Sequence, residues 1–459
     1  WRMLMECLAA GRSISLPSSN TGMAQMTARA VGGYARVRSQ FKMAVGKFEG
    51  VEEALTRIGA YTYMMDAVRK MTAGAVDLGE KPSVVSAIAK YHVTERARQV
   101  VNDGMDVIGG KGICLGPSNF MGRAYQQVPI GITVEGANIL TRSLIIFGQG
   151  AIRCHPFLLA EMQAAQNPDL NKGLVDFDKA LWAHVGFTIK NGFRALWLGM
   201  TGSHFVAVNV ETAPEMRRYY QQMTRFSAAF AFMSDISLLV LGGSVKRREK
   251  LSARLGDILS QMYLISCTLK RYEEEGRKAE DAPLAHWAIW DAMYKAQEAF
   301  DGVIANFPVR FIAAFLQRSI FPWGHPYVVP SDEVGHQVAK LLIAPSATRD
   351  RLTAECFIPQ TDKEPVGAIE LALLATLEAE AIEAKIRVAE KDGRFENNPQ
   401  ANVRDIAIVA AEYGVITAAE FEVMKRRNAL RDIVVHVDDF PFDYGVATAN
   451  KPAESRMAA

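Results

Sequence analysis

The chain has 459 residues, 49% of them hydrophobic and 22% charged, the balance of a globular protein rather than a disordered one. Its formal net charge of +2 gives no electrostatic footprint for nucleic acid. Five scattered cysteines, Cys7, Cys114, Cys154, Cys267 and Cys356, with no C-x-x-C among them, argue for reduced thiols, a cytosolic setting and no zinc site.

This length implies more than one domain. No signal peptide opens the chain, and no apolar run reads as long enough to span a bilayer. It starts at Trp1, and residues 1–8 form an amphipathic stretch with no capping residue before it. The expectation is a fragment that lacks its N-terminal part. A first helix is predicted from residue 1 to about 14, ending before Pro17. Residues 18–21 offer caps for a second, which carries Gly22, Ala24, Ala28, Ala30, Gly32, Gly33 and Ala35 and delivers Arg36 and Arg38 at its end. Small side chains at that spacing let helices approach closely. Periodicity predicts a third helix over 49–78 and a fourth over 83–108, closed by Gly109-Gly110. Four long helices with short connections predict an all-α, up-down bundle.

From residue 151 the texture changes. Helices are predicted near 174–192 and 214–241, over 246–275 with its charges opposing the helix dipole, and over 283–306. The apolar, arginine-bearing segment 308–321 leaves two readings, a buried helix or hairpin, which we favour, and an interfacial membrane anchor. A helix follows over 365–392, and Thr417 and Glu420 fit a capping box opening a last helix to about residue 430. Residues 433–437 read as a short strand or an extended tail. Residues 1–155 and 156–459 are thus expected to form a helical bundle and a helical extension.

The stretch 131–138, Gly-Ile-Thr-Val-Glu-Gly-Ala-Asn, sets the carboxylate of Glu135 between an apolar run and a glycine. A carboxylate beside apolar neighbours is suited to take a proton from a weakly acidic C–H. Gly136 lets a ligand come close to the backbone. By itself a Glu-Gly pair is more often an ordinary turn. Upstream stand Arg38-Ser39-Gln40-Phe41 and Gly109-Gly110-Lys111-Gly112. The histidines show no metal-ligand spacing, and the Glu-x-x-His pattern of di-iron bundles is absent.

The order R-x-x-F, then G-G-x-G closing a helix, then E-G resembles the C-terminal helical domain of acyl-CoA dehydrogenases, in the large bacterial, FadE-type form with a C-terminal extension. The motifs lie in the first third of the chain. The resemblance implies FAD-dependent α,β-dehydrogenation of a medium- or long-chain fatty acyl-CoA to the trans-2-enoyl-CoA, with Glu135 as base. Arg12 and Gly136 would then lie at the substrate. Arg38, Gln40, Phe41, Gly109 and Gly110 would lie at the FAD. The resemblance also implies an electron-transfer flavoprotein or similar acceptor and a homo-oligomer. The expected setting is cytoplasmic, with peripheral contact to the inner membrane as a further reading. Val134, Ala137 and Lys42 stand where the family usually has an aromatic residue, a threonine and a glycine, and Asp106 replaces its glutamine. Asn138 is a candidate to take the missing threonine's flavin contact. An acyl-CoA oxidase and a non-catalytic scaffold or assembly module are the competing readings.

Overall fold

The computed structural model describes residues 2–80, 82–208, 211–395 and 403–440. The fold is helical throughout, apart from one two-residue β-pair. Its principal helices are α1 (Arg2–Val37), α2 (Glu49–Asp77), α3 (Ser83–Ile108), α4 (Gly122–Thr133), α5 (Leu170–Met200), α6 (Arg217–Leu241), α7 (Glu249–Glu274), α8 (Ala282–Ala305), α9 (Arg310–Ile320), α10 (Pro365–Lys391) and α11 (Ala418–Val435).

Three of these elements differ from expectation. Pro17 does not end a helix: α1 runs through it. A proline inside a helix removes one hydrogen bond and costs about 3 kcal/mol. Here Pro17 is buried, and the Leu16 carbonyl gains an acceptor role toward Asn20 Nδ2 at 2.9 Å and Ser19 Oγ at 3.3 Å. The bundle therefore has three long helices before residue 109. Its fourth arm is α4, Asn138–Leu140, a π-helical stretch Thr141–Gln149 and Gly150–Cys154, and a 45° bend at the Glu135 turn divides it. Residues 433–435 are the last turn of α11 rather than a strand, because Val434 is buried on that helix's inner side.

The capping box is present as expected, Thr417 accepting from the Glu420 amide and Glu420 from the Thr417 amide. The segment 308–321 contains the amphipathic helix α9, with Leu316 and Ile320 buried and Phe311 and Phe315 exposed. Among the described residues, Pro214–Arg247 is long and apolar enough to cross a membrane by length and composition. Its α6 portion buries Phe226, Phe232 and Met233 together with Arg225 and Asp235, which fits a core helix.

By proximity of the backbone the chain divides into two units. The first comprises Trp1–Gln25, Thr56–Val100 and Val128–Val338. In it, extension helices pack on α2 and α3. Tyr61 donates to Asp291 at 3.2 Å, Thr72 meets the Tyr263 hydroxyl at 2.9 Å, and Arg96 donates to Gln261 at 3.2 Å. Arg142 grips Asp257 of α7 through Nε at 2.9 Å and Nη2 at 2.5 Å. Packing thus holds α7 despite its charge order.

The second unit comprises Met26–Leu55, Val101–Gln127 and Ala339–Ala459. The small residues of α1 act here as expected. A Cβ on Gly32 would lie 2.4 Å from the Leu342 carbonyl, and one on Gly33 2.6 Å from Ile369. Arg29 bridges Asp350 at 2.6 Å and Glu370 at 2.7 Å. Ile382, Ile386, Ala410, Ile416 and Met424 form the core between α10, Val403–Glu412 and α11.

Candidate active site

In the first unit, α4 ends at Thr133 and two consecutive residues take left-handed backbone, Glu135 at φ 55° and Gly136 at φ 98°. For a glutamate that conformation costs on the order of 1 kcal/mol and needs support from its surroundings. Two buried cations supply it. Arg12 of α1 donates from Nε to the Glu135 carbonyl at 3.0 Å. Lys90 of α3 donates from Nζ to the Gly136 carbonyl at 2.7 Å and to Asn138 Oδ1 at 2.5 Å. Thr141 Oγ1 adds a longer bond to the Gly136 carbonyl at 3.3 Å.

The Glu135 carboxylate is half-buried, and its Oε2 is buried with no hydrogen-bond partner among the described residues. A Cβ on Gly11 would touch Oε1 at 3.5 Å. A Cβ on Gly136 would stand 3.5 Å from Thr141 Oγ1 and 3.6 Å from Arg12 Nη2, an ordinary contact. The glycine at 136 is thus demanded by its backbone angle rather than by lack of space.

Arg12, Glu135 and Gly136 come together, with Arg12 spending its Nε on the turn's main chain. Burial lowers its proton affinity, and Glu135 opposes that. Asn138 does not face outward toward a flavin. It is buried, and it donates to Thr94 Oγ1 at 2.9 Å and Glu95 Oε1 at 2.8 Å while accepting from Lys90.

The second unit holds the other predicted residues. Ser39–Gln40 and Met43–Ala44 form an antiparallel pair joined by Phe41 (φ 50°) and Lys42 (φ 62°). Both angles positive is the signature of a type I′ turn, which favours glycine. Lys42 therefore takes, at a cost, the conformation that a glycine takes freely. The Phe41 ring is 91% exposed at the tip. Gln40 is exposed on the same hairpin. Arg36 pairs with Glu380, whereas Arg38 donates to the Tyr34 hydroxyl at 2.7 Å and makes no ion pair among the described residues. Gly109 (φ 67°) and Gly110 are exposed, and a Cβ on either would meet nothing within 4 Å.

The fold also assembles a cluster that sequence spacing did not show. His155, His184 and Asp235 bring three ligand-type atoms within 4.8 Å of one another. His155 Nδ1 accepts the amides of Phe157 and Leu158, each at 3.2 Å. Its proton accordingly sits on Nε2, which donates to Asp235 at 2.9 Å. His184 joins Glu161 at 2.8 Å, and Thr188 donates to Asp235 at 2.8 Å. The set is a hydrogen-bonded one, with the His155 nitrogen facing Asp235 occupied by its proton. Cys114, Cys154, Cys267 and Cys356 are free thiols.

The first unit thus presents a half-buried carboxylate at the bend of a helical arm, and the second an arginine and an exposed aromatic ring at a hairpin. Two family models match the chain, the acyl-CoA dehydrogenase C-terminal domain over residues 1–147 and the bacterial-type acyl-CoA dehydrogenase C-terminal region over residues 152–440. The chain belongs to the acyl-CoA dehydrogenase family. It is 24% identical over 381 residues to the probable acyl-CoA dehydrogenase FadE10 of Mycobacterium tuberculosis, which covers 75% of this chain and 56% of that protein. It is 29% identical over 250 residues to the mitochondrial very long-chain specific acyl-CoA dehydrogenase of Mus musculus, covering 54% of this chain and 36% of that one. Among solved structures, the Bacillus anthracis acyl-CoA dehydrogenase complexed with FAD superposes with a TM-score of 0.51 at 17% identity, over 73% of this chain and 56% of that one. The chain thus spans about half the length of these bacterial relatives or less than half in the mouse case.

Proposed function

We propose that this chain is the C-terminal part of an FAD-dependent acyl-CoA dehydrogenase, with residues 1–155 as its bundle domain and 156–459 as its bacterial-type extension. In this reading Glu135 takes the α-proton of a medium- or long-chain fatty acyl-CoA, and trans-2-enoyl-CoA is the product. FAD, when bound, supplies the acceptor for the β-hydrogen as hydride. Arg38, Gln40 and Phe41 would reach the diphosphate of the FAD of a neighbouring subunit, with Gly109 and Gly110 at an FAD adenine end. The observation that carries the reading is the Glu135 carboxylate, whose Oε2 is buried and without a partner among the described residues, on a turn pinned by Arg12. A carboxylate so placed has a lone pair to offer a substrate C–H. An electron-transfer flavoprotein or similar acceptor and a homo-oligomeric assembly accompany this reading.

The test is Glu135→Gln in the flavin-loaded, full-length protein. Flavin content and acyl-CoA affinity should hold, because the turn's main-chain bonds remain. Turnover should fall by about 10²–10⁴-fold, the contribution of a general base. Normal flavin bleaching by acyl-CoA in this variant removes Glu135 and the dehydrogenase reading with it. Peroxide formed in air at the turnover rate would replace the dehydrogenase with the oxidase.

Peripheral attachment to the cytoplasmic face of an anionic membrane belongs to the same proposal. Leu174, Trp182, Val185, Ile189, Phe193 and Trp197 are exposed on one face of α5, Trp182 and Phe193 each by 71%. Helix α9 packs against α5 and adds exposed Phe311 and Phe315. Lys179, Lys190 and Arg194 flank the stripe; exposed Asp176 and Asp178 lie at its start, and no acidic residue occurs from 179 to 200 or from 310 to 321. Tryptophan, phenylalanine and lysine in that arrangement match a bilayer interface with anionic headgroups.

A further inference from the structure

Lys90 is the most deeply buried charge next to the Glu135 turn, with no exposed surface at all. It follows Ala87-Ile88-Ala89 on α3, a setting in which an ammonium is costly unless fully engaged. Its partners are neutral oxygens, the Gly136 carbonyl and Asn138 Oδ1. Asn138 is in turn fixed by Thr94 and Glu95, one and slightly more than one helical turn further along α3. One helix face therefore holds both ends of the Gly136–Asn138 segment, while Arg12 on α1 holds the carbonyl of residue 135 from another side.

We propose that Lys90 is a positioning residue for the proton-abstraction step: its ammonium clamps the Gly136 carbonyl and the Asn138 side chain, and so fixes the left-handed turn that aims the Glu135 carboxylate. The proposal rests on Glu135 being the base. Without the clamp, two residues at positive φ lose their strongest support, and the carboxylate samples other orientations. A displacement of about 1 Å in a reacting group is enough to slow a reaction by on the order of 10²-fold.

Burial lowers the Lys90 ammonium to about 8, with Arg12 pushing the same way and Glu135 and Glu95 opposing. These are the charged groups that face it, Arg12 from α1, Glu135 from the turn and Glu95 from α3 itself. Raising the pH through that value removes the charge and one of the three N–H donors, and the clamp slackens. The wild-type protein should accordingly show an alkaline limb near pH 8 in the proton-abstraction rate.

The experiment measures hydrogen–deuterium exchange at the α-carbon of an acyl-CoA analogue with sulfur in place of the β-carbon. Such an analogue can lose the α-proton but has no β-hydrogen to transfer, so the readout is separate from flavin reduction. It is run on the full-length protein, its Lys90→Met and Lys90→Arg variants, and Glu135→Gln. In Lys90→Met, exchange should slow on the order of 10²-fold, analogue affinity should change little, and the alkaline limb should vanish. Lys90→Arg should recover part of the rate and shift the limb upward. Wild-type exchange with an unaltered limb in Lys90→Met overturns the proposal. Should Lys90→Met not fold, the wild-type profile decides: no alkaline limb near pH 8 overturns it, and a limb there supports it. Normal exchange in Glu135→Gln instead overturns the base assignment, which is a separate failure.

Discussion

Arg12 Nε donates to the main-chain carbonyl of Glu135 at 3.0 Å, across 123 residues of chain. An arginine read from sequence as a substrate contact is here a brace for the residue proposed as base. Its Nη groups make no hydrogen bond among the described residues, so the two roles are separable by experiment. Arg12→Met should remove a charge-assisted bond worth about 1.5–3 kcal/mol to the turn. If bracing dominates, α-proton exchange slows while acyl-CoA affinity holds. If substrate contact dominates, affinity measured by titration falls and exchange in the bound complex is retained.

Arg38 makes a different prediction. Its neighbour Arg36 is committed to Glu380, but among the described residues the Arg38 guanidinium donates only to the Tyr34 hydroxyl. A guanidinium without a carboxylate is available to a diphosphate. Arg38→Ala in the full-length protein should lower the FAD-to-protein ratio after desalting and weaken flavin affinity by roughly 1.5–3 kcal/mol. An unchanged ratio together with unchanged affinity takes Arg38 out of the flavin site.

Lys42 should be better as glycine. It sits at φ 62° in a two-residue turn, where a non-glycine residue costs about 1–2 kcal/mol. Its ion pair with Glu390 is long, at 3.5 Å, and the lysine is mostly exposed, so little is lost. Lys42→Gly should raise the denaturation midpoint modestly. A lower midpoint would mean that the lysine's contacts outweigh the strain.

Much of this was legible in the sequence because local rules decided it. The Thr417 cap, the glycines of α1 and the all-helical texture each follow from a propensity or a spacing. Where the reading failed, tertiary packing had overruled a local rule. Pro17 stays inside α1 because its ring is buried there, and residues 433–435 stay helical because Val434 packs inward. The Glu135, Arg12 and Gly136 grouping was readable only through family resemblance, since nothing local ties residue 12 to residue 135. Lys90 was missed, although a lysine after Ala87-Ile88-Ala89 is a visible anomaly in an apolar run. The histidine cluster escaped because its members lie on separate elements.

The buried ion pair between Asp66 and Arg271 gives a pH-dependent prediction for the attachment of the extension to α2. Arg271 Nη1 lies 3.0 Å from Asp66 Oδ2 and also donates to the Tyr63 carbonyl at 2.9 Å, with the guanidinium 4.0 Å from the centre of the Tyr63 ring. Lys70 and Arg69 reach the same carboxylate at 3.1 and 2.5 Å. Burial pushes the Asp66 carboxyl up, but Arg271, Lys70 and Arg69 together outweigh it and hold it below its ordinary value. A carboxyl held lower in the folded than in the unfolded protein binds fewer protons when folded. Its contribution is therefore fully present above the unfolded value, near 4, and is lost as the pH falls through the folded one. Asp66→Asn removes the carboxylate at Arg271 Nη1 while Glu275 still accepts from its Nε at 3.1 Å, and should cost about 3 kcal/mol at pH 7. The gap between the two proteins in urea-denaturation free energy should shrink steadily below pH 4. A gap that stays constant from pH 7 to pH 3 would mean that Asp66 acts through packing and not through its charge.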